Sequence, residues 1–208
     1  MGSIKRLIAA LVTVGAATMA LAAPAHAGLL VSTAKDCAEQ GASARVFQPW
    51  LDPAQYVPAP GGHLESAAGW DLDGGARVVA GNEPWKVGGK SHGSSLLLPA
   101  GSSATTDVMC VGIGHPTLRF FAKRTSGTLL NPLLVEVQFE ALGGALKSLP
   151  IGAVLAGGQW QPTLPWLVVA NLLPLLPNAR TPVRFKFTPV GRANWQIDDV
   201  YVDPWARR

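Results

Sequence analysis

Two stretches alternate apolar and polar residues with a period of two, and that period commits them to strands rather than helices. In Leu134-Val135-Glu136-Val137-Gln138-Phe139-Glu140, Val135, Val137 and Phe139 fall on one face and Glu136, Gln138 and Glu140 on the other. From Pro182 to Thr188, Val183, Phe185 and Phe187 alternate with Arg184 and Lys186. A strand that is apolar on one face has to bury that face against another layer. Further β-rich runs lie at 117–123, 159–163, 166–169 and 194–202, and 23 glycines and 17 prolines break the chain between such runs. The expected fold is therefore all-β, an antiparallel β-sandwich. Glu136 and Glu140 have the spacing of an acid and base pair, but any half-buried strand shows that spacing, and no nucleophile is marked nearby.

The first 27 residues stand apart. Lys5 and Arg6 precede an apolar run from Leu7 to Leu21, and Ala25-His26-Ala27 supplies small residues for cleavage, the pattern of a signal peptide. The apolar run is short for a spanning helix. The expected product is a secreted chain starting near Gly28, with an N-terminal arm over 28–62 and one domain over 63–208. Removing Lys5 and Arg6 leaves 15 basic against 13 acidic residues, a formal charge of +2. That balance offers no basic stripe for a nucleic acid. The densest basic group, Arg119, Lys123 and Arg124, reads as a solvated strand end. Cys37 and Cys110 are the two cysteines. In an exported chain they are expected to pair, and closing so long a loop stabilises by about 4 kcal/mol in the chain-entropy model.

Within the arm, Ala44 to Phe47 is a short strand candidate, Pro49, Pro53, Pro58 and Pro60 interrupt any ladder, and Trp50 and Tyr56 are its expected anchors. Residues 81–93 are glycine-rich and aperiodic, a long loop without the pattern of a phosphate site. Ser95 to Leu98 and Ala104 to Val111, separated by Pro99-Ala100-Gly101, read as a hairpin. The apolar 171–177 segment, with leucines at 172, 173, 175 and 176, is either a helical turn capping the sandwich or a greasy tip that meets a partner.

Trp195-Gln196-Ile197-Asp198-Asp199-Val200-Tyr201-Val202-Asp203 reads as the closing strand. Strict alternation puts Asp198, Val200 and Val202 on one face and Ile197, Asp199 and Tyr201 on the other. With its Ile-Asp-Asp-Val core, this stretch resembles the last strand of carbohydrate-binding-module-like β-jelly rolls of the galactose-binding-like architecture. His63-Leu64-Glu65 leading to Gly69-Trp70 and on to Val79 resembles their opening, with Leu64 where phenylalanine is usual. The resemblance covers about residues 63 to 203 and implies a jelly roll. It also implies a structural calcium ion between Glu65 and Asp198, with backbone carbonyls completing the shell. The alternative for Asp198 is a carboxylate that accepts backbone N–H groups at a strand end.

No histidine or serine stands in a recognisable catalytic frame. Seven tryptophans raise the question of sugar stacking, since an exposed indole takes the C–H face of a pyranose while polar neighbours take its hydroxyls. Trp70, Trp160 and Trp195 are assigned to packing. Trp85, in the glycine-rich loop with Asn82, Glu83 and Lys86, is the stacking candidate. Three functions stay open: a secreted non-catalytic module for a glycan or cell-surface polymer, a structural or adhesive surface protein that binds another protein, and a polysaccharide-cleaving enzyme. Intact-mass analysis of the exported protein should find its N-terminus at Gly28 within a residue or two, and an uncleaved chain in the membrane fraction would refute the leader.

Overall fold

The computed structural model describes residues 41–112, 116–141, 144–168 and 180–204. Among them the strands are β1 (Val57–Pro58), β2 (Trp70–Asp73), β3 (Arg77–Ala80), β4 (Ser94–Leu98), β5 (Ser103–Thr106), β6 (Met109–Gly112) and β7 (Thr117–Arg124). There follow β8 (Leu133–Glu140), β9 (Leu146–Val154), β10 (Gln161–Pro162), β11 (Trp166–Leu167), β12 (Arg180–Pro189) and β13 (Trp195–Asp203). One sheet runs β10-β7-β13-β4-β3, with β1 added to β13 and β11 to β7. The other runs β2-β5-β12-β8-β9, with β6 added to β12. Every pairing is antiparallel, and the two sheets form the β-sandwich of a jelly roll.

The alternation in the sequence locates the core. Val135, Val137 and Phe139 of β8 and Val183, Phe185 and Phe187 of β12 face inward beside one another, in register Val137 to Phe185 and Val135 to Phe187. Leu118, Phe120 and Ala122 of β7 and Trp195, Ile197, Val200 and Val202 of β13 oppose them from the other sheet. Phe120 meets Phe187 edge-on at 5.1 Å, a contact that joins the two layers. Glu136 stays half exposed and accepts a hydrogen bond from the Ser148 hydroxyl, whereas Glu140, expected on the wet face, is buried.

Three expectations are corrected. The stretches around Pro99-Ala100-Gly101 are not a hairpin: β4 joins the β13 sheet and β5 joins the β12 sheet, so the turn crosses the sandwich. The run from Ala104 to Val111 is two strands, since Asp107 turns aside to donate its N–H to Gly69 O, and both pieces pair with β12. The closing strand does not alternate strictly. A bulge between Asp198 and Tyr201 inserts one residue against β7, and Asp199 takes a left-handed φ of 46°. Ile197, Val200 and Val202 therefore share the core face, and Asp198 does not join the valines.

The outer face of the β7 sheet is covered by the N-terminal arm. Among the arm residues described, Ala44 makes an isolated bridge to Tyr56, and a short 3-10 turn follows at Gln48–Trp50. Phe47 and Tyr56 are buried and join Phe121 and Tyr201 in a second apolar cluster, with Trp50 partly covered against it. Phe47 rather than Trp50 is thus the deeper anchor. Arg119, expected to be solvated, is buried there: its Nη1 pairs with Asp52 at 2.6 Å, its Nε donates to Thr163 O, and its guanidinium lies 4.2 Å from the Phe47 ring centre. Burial raises the Asp52 carboxyl, but hydrogen bonds from Tyr56 and Arg119 outweigh it and hold the group below its ordinary value. Lys123 extends over the Trp160 ring at 4.7 Å.

The leader, Cys37 and the leucine-rich 172–176 segment lie outside the described residues, and so does the bridge expected between Cys37 and Cys110. Cys110 itself is buried on β6. Among the described residues no helix is long and apolar enough to cross a membrane. Phe47→Ala should lower unfolding stability by about 3–5 kcal/mol, read from the denaturant midpoint, because the ring is fully enclosed. A change below about 1 kcal/mol would show that the arm does not contribute to the cooperative fold.

Candidate functional site

The bulge determines what gathers around β13. Asp198 stands opposite Phe121 and turns to the outer side, where its Oδ2 accepts the Glu83 N–H at 2.8 Å and its Oδ1 accepts the Asp199 N–H at 2.8 Å. The bulged Val200 finds its partners in the arm, donating to Gly62 O and accepting from Ala59 N–H. Asp199 is directed to His63, whose Nδ1 lies 2.8 Å from its Oδ1, while its Oδ2 accepts the Gly88 N–H at 3.1 Å. His63 in turn stands edge-on to Tyr201 and beside the His92 ring, with ring centres 5.6 Å and 4.9 Å away.

Glu83 is the link between this strand and the loop 81–93. Its carboxylate accepts the N–H groups of Trp85 and Val87, each at 2.6 Å, and closes a tight turn in which Lys86 adopts a φ of 52°. Val87 is thereby turned toward the second apolar cluster. Trp85 stands against Trp50 and Phe121, at ring separations of 5.2 and 5.4 Å, and still leaves 46% of its surface open.

Glu83, Asp198 and Asp199 are all fully buried, so three carboxyls share one desolvated region. Burial pushes Asp198 up to about 8, against the pull of its two N–H donors, and the neighbouring Asp199 and Glu83 charges add to the rise. Burial also raises Glu83. Tyr201, beside all three, is raised by burial and by their negative charge.

The ligand-binding residues named from the sequence divide accordingly. Trp85 and Lys86 are exposed on the loop. Asn82 is half-buried and donates its amide to Glu83 O. Glu83 faces inward and shapes the loop from beneath. Glu65 and Asp198, named for calcium, are placed differently from each other. Residues 63–69 form turns rather than a strand, and both Glu65 oxygens accept backbone N–H groups at the start of β4, from Gly93 and Ser94. Both Asp198 oxygens are likewise engaged by backbone. Among the described residues, the group of three or more acidic, histidine or cysteine side chains close enough to hold an ion is His63, His92 and Asp199. Sequence reasoning missed it, since the three are scattered along the chain and match no motif.

No family model and no curated relative matches the sequence. Among solved structures, the chain is similar to the CBM22-1–GH10 modules of endo-1,4-beta-D-xylanase 10B from Clostridium thermocellum, complexed with xylohexaose. That match has 13% identity and a TM-score of 0.47, over 70% of this chain and 27% of that one. It is similar to the CBM22-1 xylan-binding domain of Paenibacillus barcinonensis Xyn10C, at 14% identity and a TM-score of 0.47, over 67% and 89% of the two chains. A third likeness is to TmCBM61 in complex with beta-1,4-galactotriose, at 13% identity and a TM-score of 0.39, over 69% and 93%.

The raised Asp198 carboxyl has a consequence for stability. An acid whose folded pKa lies above its unfolded value binds its proton more tightly when folded, so stability is greatest below the unfolded value, near 3.8, and falls as pH rises toward about 8. Glu83 acts in the same direction. Unfolding by denaturant at a series of pH values, in chelator, should show this decline, and Asp198→Asn should flatten it. A variant with the slope of the wild type would place the titration elsewhere.

Proposed function

We propose that the protein is a secreted, non-catalytic binding module that takes a glycan or cell-surface polymer on the face bearing Trp85. The observation that carries this reading is the exposed indole of Trp85. Among the described tryptophans, Trp70 and Trp195 are buried and Trp50, Trp160 and Trp166 partly covered, while Trp85 is held open on a turn that Glu83 fixes from below. A rigid, half-exposed ring loses little freedom when a sugar stacks on it. Exposed Lys86 beside it and the half-covered Trp50 against it supply polar and apolar neighbours of the kind that a chain of hydroxyls and C–H faces engages.

A second reading, a structural or adhesive protein that meets another protein, is favoured by a different surface. A groove of about 220 Å³ runs between the end of β9 and the segment around β10 and β11. Trp166 lines it and packs across Gly152, where a Cβ would come within 2.6 Å of the indole, and Leu155 and Leu164, which also line it, are 62% and 75% exposed. Exposed apolar surface of this kind suits a protein partner.

A glycan array on the purified mature chain, followed by titration calorimetry on any hit, separates the two. Trp85→Ala should weaken sugar binding about tenfold or more, and Trp85→Phe, which keeps a ring, should retain part of it. No sugar binding, together with self-association or capture of a protein through the Leu164 groove, would overturn the glycan reading.

A further inference from the structure

We infer that His63, His92 and Asp199 form a binding site for a divalent transition-metal ion of the zinc class, a site in which Trp85 takes no part. One ligand atom from each residue lies within 4.8 Å of the others. Donor atoms of all three lie against the backbone at Gly88. A Cβ built on Gly88 would stand 2.5 Å from Nδ1 of His63, 2.8 Å from Nδ1 of His92, and closer still to Oδ1 of Asp199. A carbon could not stand that close to them, so it is glycine at this position that lets the three donor atoms gather over the backbone, where zinc would bind them at its usual distances of about 2.0–2.2 Å.

Two further observations point into the same space. Nδ1 of His92 is buried without a hydrogen-bond partner, although a buried ring nitrogen ordinarily has one. A metal supplies it. The outer oxygen of Asp199 is fixed by the Gly88 N–H, so the ligand is oriented by its surroundings as metal-binding carboxylates are. The His63 side chain is 34% exposed, which gives an ion a route in from solvent.

The donor set names the class of ion. Two imidazole nitrogens and one carboxylate oxygen suit zinc and its transition-metal neighbours, whereas calcium and magnesium take oxygen shells. The hydrogen bond between His63 and Asp199 occupies the same two atoms, so the ion replaces the proton that joins them, and the atoms must part slightly from 2.8 Å to share it. Three protein ligands leave a coordination position for water or a further ligand. Because Gly88 and His92 lie in the loop 81–93 and Asp199 in β13, an ion here would clamp the loop to the central strand.

The test uses the untagged chain, stripped with chelator and titrated with zinc chloride in a calorimeter, beside thermal unfolding in chelator, zinc and calcium. About one zinc ion per chain should bind, and zinc rather than calcium should raise the unfolding midpoint by a few degrees. His92→Ala should weaken zinc binding at least about tenfold while leaving the midpoint in chelator close to that of the wild type. Gly88→Ala, whose methyl group would push the three ligand atoms apart while keeping their residues, should also lose the ion. Absence of zinc binding overturns the assignment, as does zinc binding that His92→Ala leaves unchanged. A stabilising response to calcium alone overturns it as well. None of these results depends on whether Trp85 binds a sugar.

Discussion

The bulge in β13 is the constraint on which the rest of the outer face depends. β13 is a central strand, paired with β7 along one edge and with β4 and then β1 along the other. An added residue in such a position would leave backbone groups unpaired and shift every later side chain to the opposite face. Here the loss is repaired by Ala59 and Gly62, which bond the displaced Val200 from the arm. Gly62 is suited to that approach, because a Cβ there would run into the Val200 carbonyl. The left-handed Asp199 costs about 1 kcal/mol or more relative to extended backbone, and aspartate tolerates that region better than most residues. In exchange, Val200 and Val202 reach the core and two carboxylates are released to hold other elements.

What those carboxylates hold is the loop 81–93. Asp198 takes the Glu83 N–H, Asp199 takes the Gly88 N–H, and Glu83 closes the turn between them. A glycine-rich segment with no periodicity would ordinarily be mobile; this one is bonded to the strand at both ends of its turn. The arrangement concentrates negative charge in a dry place, with raised carboxyls as its physical cost. Its result is a fixed loop that presents Trp85 and brings His92 beside His63. The arm reinforces the same region through Arg119, whose burial is tolerable because Asp52, Thr163 O and the face of Phe47 all compensate its charge.

The candidate site was legible in the sequence in one part. Trp85 could be singled out because it stands in an aperiodic, glycine-rich loop where no strand pattern assigns it to a core. Glu83, three residues from Lys86 and equally polar in sequence, could not be told apart from a ligand-facing residue, and its burial follows from contacts with β13 more than a hundred positions away. His63, His92 and Asp199 carried no shared motif, since their meeting depends on the fold alone. The one local signal was Gly88-Gly89 beside His92, a place where backbone comes close to other groups.

By itself the sequence determined the class of fold and its principal faces. Val135, Val137 and Phe139, and Val183, Phe185 and Phe187, alternate over enough residues that one face of each strand had to be buried whatever its partner. The prolines and glycines between runs excluded long helices, and the aperiodic 81–93 stretch had to be a loop. Tertiary structure decided which sheet each strand joined, so that β4 and β5 parted across a short turn that local pattern could not distinguish from a hairpin. It also decided the phase of β13, because a bulge is set by long-range pairing: the N–H and C=O of Val200 could turn away from β7 only because Gly62 and Ala59 were there to receive them. Period-two reasoning extends only as far as the ladder is regular, and at Asp199 the ladder gives way to the arm.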